Sequence, residues 1–301
     1  MGFNVVTFEG ELADKKAYVE KFMREFMPPE NAYPQVIHRA MHYAVFNGGK
    51  RLRPILVLES AQVVGKDLTR ALPVACAMEM IHSYSLVHDD LPAMDDDDLR
   101  RGKPTCHKVF GEANAILTGD ALLTLAFEII TVCADLPGMD PRYVAKVVRE
   151  TARAVGSLGM VGGQVLDLEL EGKDTDFFTL KTLHSKKTGA LFRACLRAGA
   201  LLFGVEDERL QALTRYAENF GLAFQITDDI LDVEGDEKIT GKPVGSDEKK
   251  RKVTYPSLLG MDEAKKLAKS SVEEAVESLN VFGAEADFLR NLALYLLHRR
   301  S

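Results

Sequence analysis

The chain has 301 residues, of which 46% are hydrophobic and 28% charged, and its formal net charge is −7. This composition provides for a large hydrophobic core, and the negative charge gives no support to a nucleic-acid partner. We find no run that approaches the roughly 20 apolar residues of a membrane span, and residues 1–16 lack the apolar segment of a signal peptide. The four cysteines are widely spaced, as in a reduced cytoplasmic protein rather than a disulfide framework or zinc site.

Hydrophobic residues recur at helical spacing along nearly the whole chain. Residues 55–64 could form a buried strand on propensity, but their neighbours favour a helix. The segment Ala71–His88 is apolar almost all round, which predicts a buried helix with Thr69 as its N-cap. The segment Glu206–Val233 repeats this pattern, and clean alternating strands are absent. We therefore predict one all-α domain over residues 1–301, with long helices around a central cavity.

The first acidic cluster covers residues 89–98, which read Asp-Asp-Leu-Pro-Ala-Met-Asp-Asp-Asp-Asp. His82, Ser85 and Asp89 share one face of the preceding helix, and Pro92 is expected to end or distort that helix. Closely spaced carboxylates repel one another unless cations neutralise them, and their hard oxygen atoms favour Mg²⁺. We expect residues 96–98 to lie outside the inner ligand set. The carboxylates expected to converge are Asp89, Asp90 and Asp95.

The second acidic cluster lies on the long helix near residue 230. Its polar residues recur at spacings of three and four and form one stripe on an otherwise apolar helix. The apolar flanks disfavour a merely solvated face, and two of the carboxylates, one turn apart, can bind the same ion. The members of the stripe are Gln225, Asp228, Asp229 and Asp232.

Several cationic segments accompany the acidic clusters. Lys50, Arg51 and Arg53 follow the turn Gly48-Gly49, which suits anion binding but lacks the spacing of a Walker A loop. Arg100 and Arg101 follow the first acidic cluster. They could bind an anionic substrate, and the alternative is that they form surface ion pairs with the neighbouring aspartates. Further lysines lie in the segment Lys186–Gly189, which is expected to open a helix, and at Lys242 and Lys252. Each of these lysines could bind substrate or could be a solvated surface residue. Carboxylates for metal and cations for phosphate oxygens together suggest a diphosphate substrate at a magnesium site.

Four segments in this order closely resemble the trans-isoprenyl diphosphate synthases, and the bacterial farnesyl diphosphate synthase branch matches best. The resemblance runs from about residue 35 to residue 260, and its two aspartate motifs are very specific. The first motif is the expanded form Asp-Asp-Leu-Pro-Ala-Met-Asp, and no motif position departs from the family pattern. The matching segments are Gly48–Pro54, Asp89–Arg101, Lys187-Thr188 and Gly221–Asp232.

The resemblance implies a cytoplasmic homodimer that binds isopentenyl and allylic diphosphates, with a separate set of residues for each diphosphate. About three Mg²⁺ ions, with Mn²⁺ as a possible substitute, would grip the allylic diphosphate. The implied metal ligands are Asp89, Asp90, Asp95, Asp228, Asp229 and Asp232. Further charge on the allylic diphosphate would come from Arg100, Lys187 and Lys242, and Lys252 is expected to bind substrate without assignment to either diphosphate. The diphosphate of isopentenyl diphosphate would be bound by Lys50, Arg53, His82 and Arg101, and Gly49 is a further expected substrate-binding residue.

The implied reaction needs no side-chain nucleophile, because the double bond of isopentenyl diphosphate attacks an allylic cation. Dipoles near Lys187, Thr188 and Gln225 would stabilise that cation, and the departing diphosphate would take the final proton. Tyr84, with its neighbour Ser85, is expected to limit the product to fifteen carbons, which makes farnesyl diphosphate the main product.

Four other readings stay open at this point. The first is a geranylgeranyl diphosphate synthase, with a longer product. The second is a class I terpene cyclase, which would use one aspartate cluster and a mixed second metal motif. The third is a silent partner subunit, expected to have lost the aspartates. The fourth is an acidic calcium module, whose loop spacing this chain lacks.

Overall fold

The structure is a computed structural model that describes residues 3–234 and 252–299. Helices account for nearly all of its regular structure, which confirms the predicted all-α fold class. The helices of the first half are α1 (Val5–Met23), α2 (Gln35–Val45), α3 (Leu52–Val63), α4 (Leu72–Asp89), α5 (Cys106–Phe110), α6 (Glu112–Val132) and α7 (Pro141–Val155).

The second half contains the longest helix and the helices that close the fold. A π-helical turn, Ser185–Gly189, joins two of them without a break. The helices are α8 (Met160–Leu170), α9 (Phe177–His184), α10 (Ala190–Leu201), α11 (Glu208–Glu234), α12 (Tyr255–Leu259), α13 (Met261–Ser278) and α14 (Asp287–Tyr295).

Helix α4 lies at the centre of the core. It packs lengthwise against α6 and also against α3, while α10 joins α3 to α11 and α11 packs along α13. Met78, Met80 and Ile81 of α4 are fully buried, and each such side chain stabilises the fold by about 1.5–3 kcal/mol. The all-round apolar pattern of this segment follows from these contacts on every side. The C-terminal end of α4 is therefore held rigidly where the first acidic cluster begins.

The helix expected at residues 55–64 is confirmed by α3. The start of α4, in contrast, differs from the prediction. Thr69 is not an N-cap. Instead, the Asp67 carboxylate accepts hydrogen bonds from the Thr69 backbone N–H and hydroxyl, at 3.0 and 2.7 Å. These bonds stabilise a short 3₁₀ turn, Leu68–Ala71, and α4 begins only after it. Asp accepts such a backbone bond as readily as Thr, so local sequence did not separate the two.

A short hairpin follows the first acidic cluster. Leu99–Arg100 pairs with Lys103–Pro104 in antiparallel register, and the two residues between them, Arg101 and Gly102, have φ of 55° and 75°. Two consecutive positive φ angles are those of a type I′ hairpin turn. Strands of two residues are too short to show alternation, which is why the sequence did not reveal them. The turn places Arg101 at the tip of the hairpin.

The segment Lys186–Gly189 does not open a helix, contrary to the prediction. It lies inside a continuous helical run from Phe177 to Leu201 and forms the π turn there. No breaker precedes it, and Gly189 keeps helical φ and ψ of −64° and −37°. A glycine with these angles does not end a helix. π turns of this kind occur often at functional sites.

Helix α6 corrects the expectation that no run approaches the length of a membrane span. The helical stretch Glu112–Asp135 has a mean hydropathy of 1.8 and is long and apolar enough to cross a membrane by length and composition. A core helix passes the same test, and α6 packs along α4 and α2. Part of its apolar surface is exposed, including Ile116 and Leu117 at 46% and 55%.

Candidate active site

A cavity of about 370 Å³ opens where the end of α4, α8, the π turn and α11 meet. Charged side chains dominate its wall, with apolar contributions from Leu180 and Leu183. It brings together members of both acidic clusters and several of the predicted cations. The polar residues predicted from sequence that line it are Asp89, Asp95, Arg100, Arg101, Lys187, Thr188, Gln225, Asp228, Asp229 and Lys252.

Asp89 ends α4 and forms part of the first acidic wall. Burial raises the pKa of its carboxyl, while the nearby Lys187 ammonium opposes that rise. Lys187 Nζ lies 3.7 Å from Asp89 Oδ2, and the side-chain amide of Gln164 donates a hydrogen bond to Asp89 Oδ1. The carboxylate is thus oriented by a neutral donor and accompanied by a cation.

Asp167 of α8 connects the two lysines of the cavity. Its Oδ2 lies 2.6 Å from Lys187 Nζ and 3.3 Å from Lys252 Nζ, and Lys252 Nζ also lies 3.3 Å from Asp95 Oδ1. Burial alone would raise the pKa of Asp167, but the two ammonium groups outweigh it and lower the pKa overall. The wall is therefore a chain of alternating charges.

Asp167 and Gln164 are site residues that the sequence analysis missed. A signal was present, because both are polar and lie three residues apart on a helix that is otherwise largely apolar. This is the spacing that identified the second acidic cluster. The helix is short and its polar residues are isolated, so they stand out from the apolar residues less clearly than a run of aspartates does. Asp97, expected outside the inner set, also lines the cavity.

Asp90 does not converge with Asp89 and Asp95, contrary to the expectation. It is buried and accepts from Arg100, whose Nε and Nη2 lie 2.6 and 2.5 Å from Asp90 Oδ1. Consecutive helical residues point about 100° apart, so Asp89 and Asp90 face different neighbours. Burial opposes the charge on Arg100, but its bonds to Asp90 prevail and raise the pKa of the guanidinium. Arg100 lines the cavity as the paired partner of Asp90.

Asp229 forms the centre of the second acidic wall and is firmly oriented. The Tyr255 backbone N–H donates to its Oδ2 at 2.9 Å, and the Gln225 side-chain amide donates to its Oδ1 at 3.1 Å. The Thr188 hydroxyl in turn donates to Gln225 Oε1 at 3.3 Å. This network connects α11 with α12 and the π turn, so the second wall has a fixed geometry.

The rest of the second cluster is more open. Asp228 is exposed, and Arg299 Nη2 lies 3.3 Å from its Oδ1 while also donating to the Thr227 hydroxyl at 2.9 Å. Asp232 is half-buried and is not among the residues that line the cavity. The predicted stripe therefore reaches the cavity through its first three members.

A cation cluster, consisting of Arg51, Arg53 and Arg101 around the side chain of His82, lies beside the cavity. Burial and the surrounding guanidinium groups hold the pKa of His82 well below its usual value, so the imidazole is neutral. The Arg53 guanidinium stacks over the Phe192 ring at 4.8 Å, a cation–π contact. Arg101 belongs to both regions, because it also lines the cavity.

The Gly48-Gly49 turn fits around Arg101. The Arg101 guanidinium donates to the Gly48 carbonyl oxygen, and a Cβ added at Gly49 would lie 2.6 Å from Arg101 Nη1. Gly49 also has φ of 116°, which a residue with a side chain rarely adopts. Lys50 follows, and burial together with Arg299 lowers the pKa of its ammonium to about 8.

Arg51 anchors the same turn from within the core. Its φ is 57°, its Nε donates to Glu20 at 2.8 Å and its Nη1 donates to the buried Glu79 at 2.8 Å. Sequence analysis counted Arg51 as one more anion-binding cation and did not single out Glu79. The structure shows that this arginine is paired internally and holds the loop that carries Gly49 and Lys50.

Three predicted residues remain to be placed. Tyr84 is 6% exposed in the main hydrophobic core, edge-on to the His88 ring at 5.8 Å. The Ser85 hydroxyl donates to the His82 carbonyl oxygen at 2.8 Å. Neither Tyr84 nor Ser85 lines the cavity, so their role in product length stays a prediction. Lys242 lies outside the described residues.

The donor set fits a hard divalent cation. Within residues 3–234 and 252–299, no three His, Cys, Asp or Glu side chains converge closely enough to hold a metal ion. However, Asp89 and Asp95 on one wall and Asp228 and Asp229 on the other present only carboxylate oxygens to one cavity. Oxygen-only donors shared with a phosphate-bearing ligand are typical of Mg²⁺ sites.

Comparisons with known proteins agree with this geometry. The family described as polyprenyl synthetase matches residues 34–288. The farnesyl diphosphate synthase of Escherichia coli (strain K12) is 47% identical over 281 residues, which cover 92% of this chain and 94% of that protein. The geranylgeranyl diphosphate synthase of Cyanophora paradoxa is 45% identical over 301 residues, covering 99% and 98%. A crystal structure of an FPP/GFPP synthase from Zymomonas mobilis is 40% identical and superposes with a TM-score of 0.86, covering 98% of this chain and 100% of that one.

Proposed function

The chain belongs to the polyprenyl synthetase family, and on that premise we propose that it is a trans-prenyltransferase that joins isopentenyl diphosphate to an allylic diphosphate. The observation that carries the proposal is the presence of two adjoining regions, of different charge, that meet at Arg101. One is the carboxylate-rich cavity with Lys187 and Lys252, and the other is the cation cluster around Arg53. Two diphosphate substrates that react with each other need two adjoining anion subsites.

The allylic diphosphate is assigned to the cavity. Its leaving group must be neutralised as the carbon–oxygen bond breaks, and Lys187 and Lys252 lie among carboxylates that can share a metal ion with it. Isopentenyl diphosphate is assigned to the cation cluster and Lys50. This assignment follows from the cluster's excess of positive charge, since its three guanidinium groups face two carboxylates, Glu20 and Glu79, both paired with Arg51. Lys242 stays an untested candidate for the allylic subsite.

Members of this family use a divalent metal, and we propose Mg²⁺, about three ions, with Mn²⁺ as a substitute. When bound, the metal supplies positive charge to the leaving diphosphate oxygens. We propose that it would be held by Asp89 and Asp95 on the first wall and by Asp228 and Asp229 on the second, a proposal supported by their shared cavity. Two residues of the predicted ligand set, Asp90 and Asp232, do not line the cavity. Asp90 pairs with Arg100 instead.

The chain's own groups then steer the reaction. The allylic carbon–oxygen bond breaks, the double bond of isopentenyl diphosphate forms a new carbon–carbon bond, and the departing diphosphate takes a proton from the product cation. The Thr188 hydroxyl donates a hydrogen bond to Gln225 Oε1, so the lone pairs of the Thr188 oxygen stay available to the allylic cation. Such fixed dipoles stabilise developing charge without reorganising.

We propose farnesyl diphosphate, with fifteen carbons, as the main product. The aromatic ring of Tyr84, rigidly packed on the helix that carries Asp89, supports a short product. A geranylgeranyl product is the alternative, because both product names occur among the relatives. A class I terpene cyclase is disfavoured, since it has no use for a second anion subsite.

We also propose that the protein acts in the cytoplasm as a homodimer. Exposed apolar side chains on α6, Ile116 and Leu117, and on α8, Val161 and Val165, support a self-association surface. Leu117→Glu is expected to yield monomers in light scattering, whereas Leu99→Glu, at a similarly exposed leucine on the hairpin, is expected to stay dimeric. A monomeric wild-type chain would contradict this part of the proposal.

The activity itself is tested by incubating the chain with isopentenyl diphosphate, labelled geranyl diphosphate and Mg²⁺, followed by chromatographic sizing. We expect a labelled fifteen-carbon diphosphate that depends on metal and on both substrates. Labelled cyclic hydrocarbon in the absence of isopentenyl diphosphate would support a cyclase instead. No conversion of either substrate would contradict the proposal.

A further inference from the structure

The π turn Ser185–Gly189 touches the first acidic wall through a single side chain. Lys187 Nζ lies 2.6 Å from Asp167 and 3.7 Å from Asp89. Asp167 belongs to α8 and Asp89 to α4, so the ammonium lies between two helices. Its position depends on how closely the turn approaches α8.

The same turn touches the second acidic wall through the next residue. The Thr188 hydroxyl donates to Gln225 at 3.3 Å, and Gln225 donates to Asp229 at 3.1 Å. A shift of the turn would therefore move Lys187 and Thr188 together, relative to both walls. The turn is the element that links the two acidic walls.

Gly163 of α8 packs directly against the backbone of this turn. A Cβ added at Gly163 would lie 2.3 Å from Lys187 N, 2.6 Å from Lys187 Cα and 2.9 Å from the Lys186 carbonyl carbon. These are main-chain atoms inside a continuous helical run, so they cannot rotate away as a flexible side chain does. Alanine is normally a better helix former than glycine. The glycine is therefore explained by this contact rather than by helix propensity.

A second glycine lies on the opposite side of the turn. A Cβ added at Gly221 of α11 would lie 3.3 Å from Gly189 Cα, a contact that a shift of a few tenths of an ångström can relieve. The turn thus contacts Gly163 of α8, the helix that carries Asp167, and Gly221 of α11, the helix that carries Asp229. The contact at Gly163 is the tighter of the two.

We propose that Gly163 is a positioning residue for the allylic subsite. Its lack of a side chain sets the distance between α8 and the π turn, and that distance places the Lys187 ammonium between Asp89 and Asp167. The inference rests on the proposed function, because it assigns this geometry to binding of the allylic diphosphate. Gly163 touches no substrate and acts through Lys187.

The test compares Gly163→Ala with Gly162→Ala. Gly162 is the adjacent residue of α8, and its Cβ would also meet main chain, 2.1 Å from the Ser157 oxygen, but its three nearest atoms all belong to Ser157 and none to the π turn. In Gly163→Ala we expect kcat/KM for geranyl diphosphate to fall about 100-fold, as for a displacement near 1 Å, while KM for isopentenyl diphosphate changes by less than about twofold. In Gly162→Ala any loss should affect both substrates alike.

Structural and thermal measurements complete the test. A crystal structure of Gly163→Ala should show the distance from Lys187 Nζ to Asp167 Oδ2 lengthened beyond 2.6 Å. The loss of kcat/KM for geranyl diphosphate should not follow the order of the melting temperatures of the two variants. Wild-type kcat/KM for geranyl diphosphate in Gly163→Ala, or equal losses in the two variants that track their melting temperatures, would overturn the proposal.

Gly221→Ala keeps the proposal testable if Gly163→Ala does not fold. It presses on the turn from the other side with a milder contact, so we expect a smaller loss, about fivefold, again confined to geranyl diphosphate. A folded Gly221→Ala with equal losses for both substrates would contradict the role of the turn. A wild-type chain that makes no prenyl product would instead refute the proposed function, which separates the two failures.

Discussion

The lysines of the cavity and those of the cation-cluster side lie in opposite electrostatic environments. Burial alone would lower the pKa of Lys252, but Asp167 and Asp95 outweigh it and raise the pKa. Lys50, which directly precedes Arg51, has its pKa lowered to about 8 by burial and by Arg299. Carboxylates thus outweigh the effect of burial on the pKa of Lys252, whereas burial and Arg299 prevail at Lys50.

This difference indicates what each region requires of its ligand. The cavity is already a chain of alternating charges, so an anion that enters it has to bring further positive charge, which a divalent metal supplies. The cation cluster has a surplus of positive charge and can bind a diphosphate directly. The comparison predicts metal dependence on one side and pH dependence on the other.

The largest effect is expected from breaking either acidic wall. Asp89→Ala and Asp229→Ala should each lower turnover by about 10³-fold or more, because neither wall alone can enclose a diphosphate with its metal. Turnover should be measured at saturating Mg²⁺, with circular dichroism to confirm folding. The matched control is Asp98→Ala, whose carboxylate in the same acidic run is 70% exposed and pairs with Lys108. Near-normal turnover in either wall variant would refute the two-wall account.

A change in product should follow from Tyr84→Ala. Removing this buried ring from α4 opens space behind the cavity wall, so chain growth is expected to continue toward geranylgeranyl diphosphate, with twenty carbons. Product sizing by chromatography measures the shift. Tyr18→Ala, which removes a partly buried ring on α1, should leave product length unchanged. If Tyr84→Ala still stops at fifteen carbons, another residue limits the chain.

A smaller effect is expected from pH. With a pKa of about 8, the Lys50 ammonium is charged near pH 7 and mostly neutral near pH 9, so raising the pH removes positive charge from the isopentenyl subsite. KM for isopentenyl diphosphate should therefore rise by up to about tenfold over this interval. KM for geranyl diphosphate should stay nearly constant, because the pKa of Lys252 is raised. Lys50→Arg, which stays charged, should abolish the rise; a rise that persists would contradict the assignment.

The all-α fold and most of the charged cavity residues could be predicted from sequence, the fold from periodicity and the charged residues from the two aspartate clusters and the family resemblance. The helix of Ala71–His88 and the stripe from Gln225 to Asp229 are local patterns with a period of three to four residues. The pairing of Asp90 with Arg100 could not be predicted, because it depends on how the chain turns after α4.

The contributions of single residues on distant helices were also hidden from sequence. Asp167 and Gln164 acquire their roles only through the packing of α8 against α4 and the π turn. The π turn itself has no composition that distinguishes it from an ordinary helix, and the buried Glu79 is recognised only through its bond to Arg51. Such roles come from tertiary contacts between segments far apart in the chain.

We propose above all that the cavity and the cation cluster bind different diphosphates, and one set of steady-state measurements tests this most directly. KM for geranyl diphosphate and KM for isopentenyl diphosphate should be determined for the wild type, Arg53→Ala and Lys187→Ala. We predict that Arg53→Ala raises KM for isopentenyl diphosphate by about tenfold or more while KM for geranyl diphosphate changes much less, and that Lys187→Ala shows the reverse. Equal increases for both substrates in both variants would contradict the account.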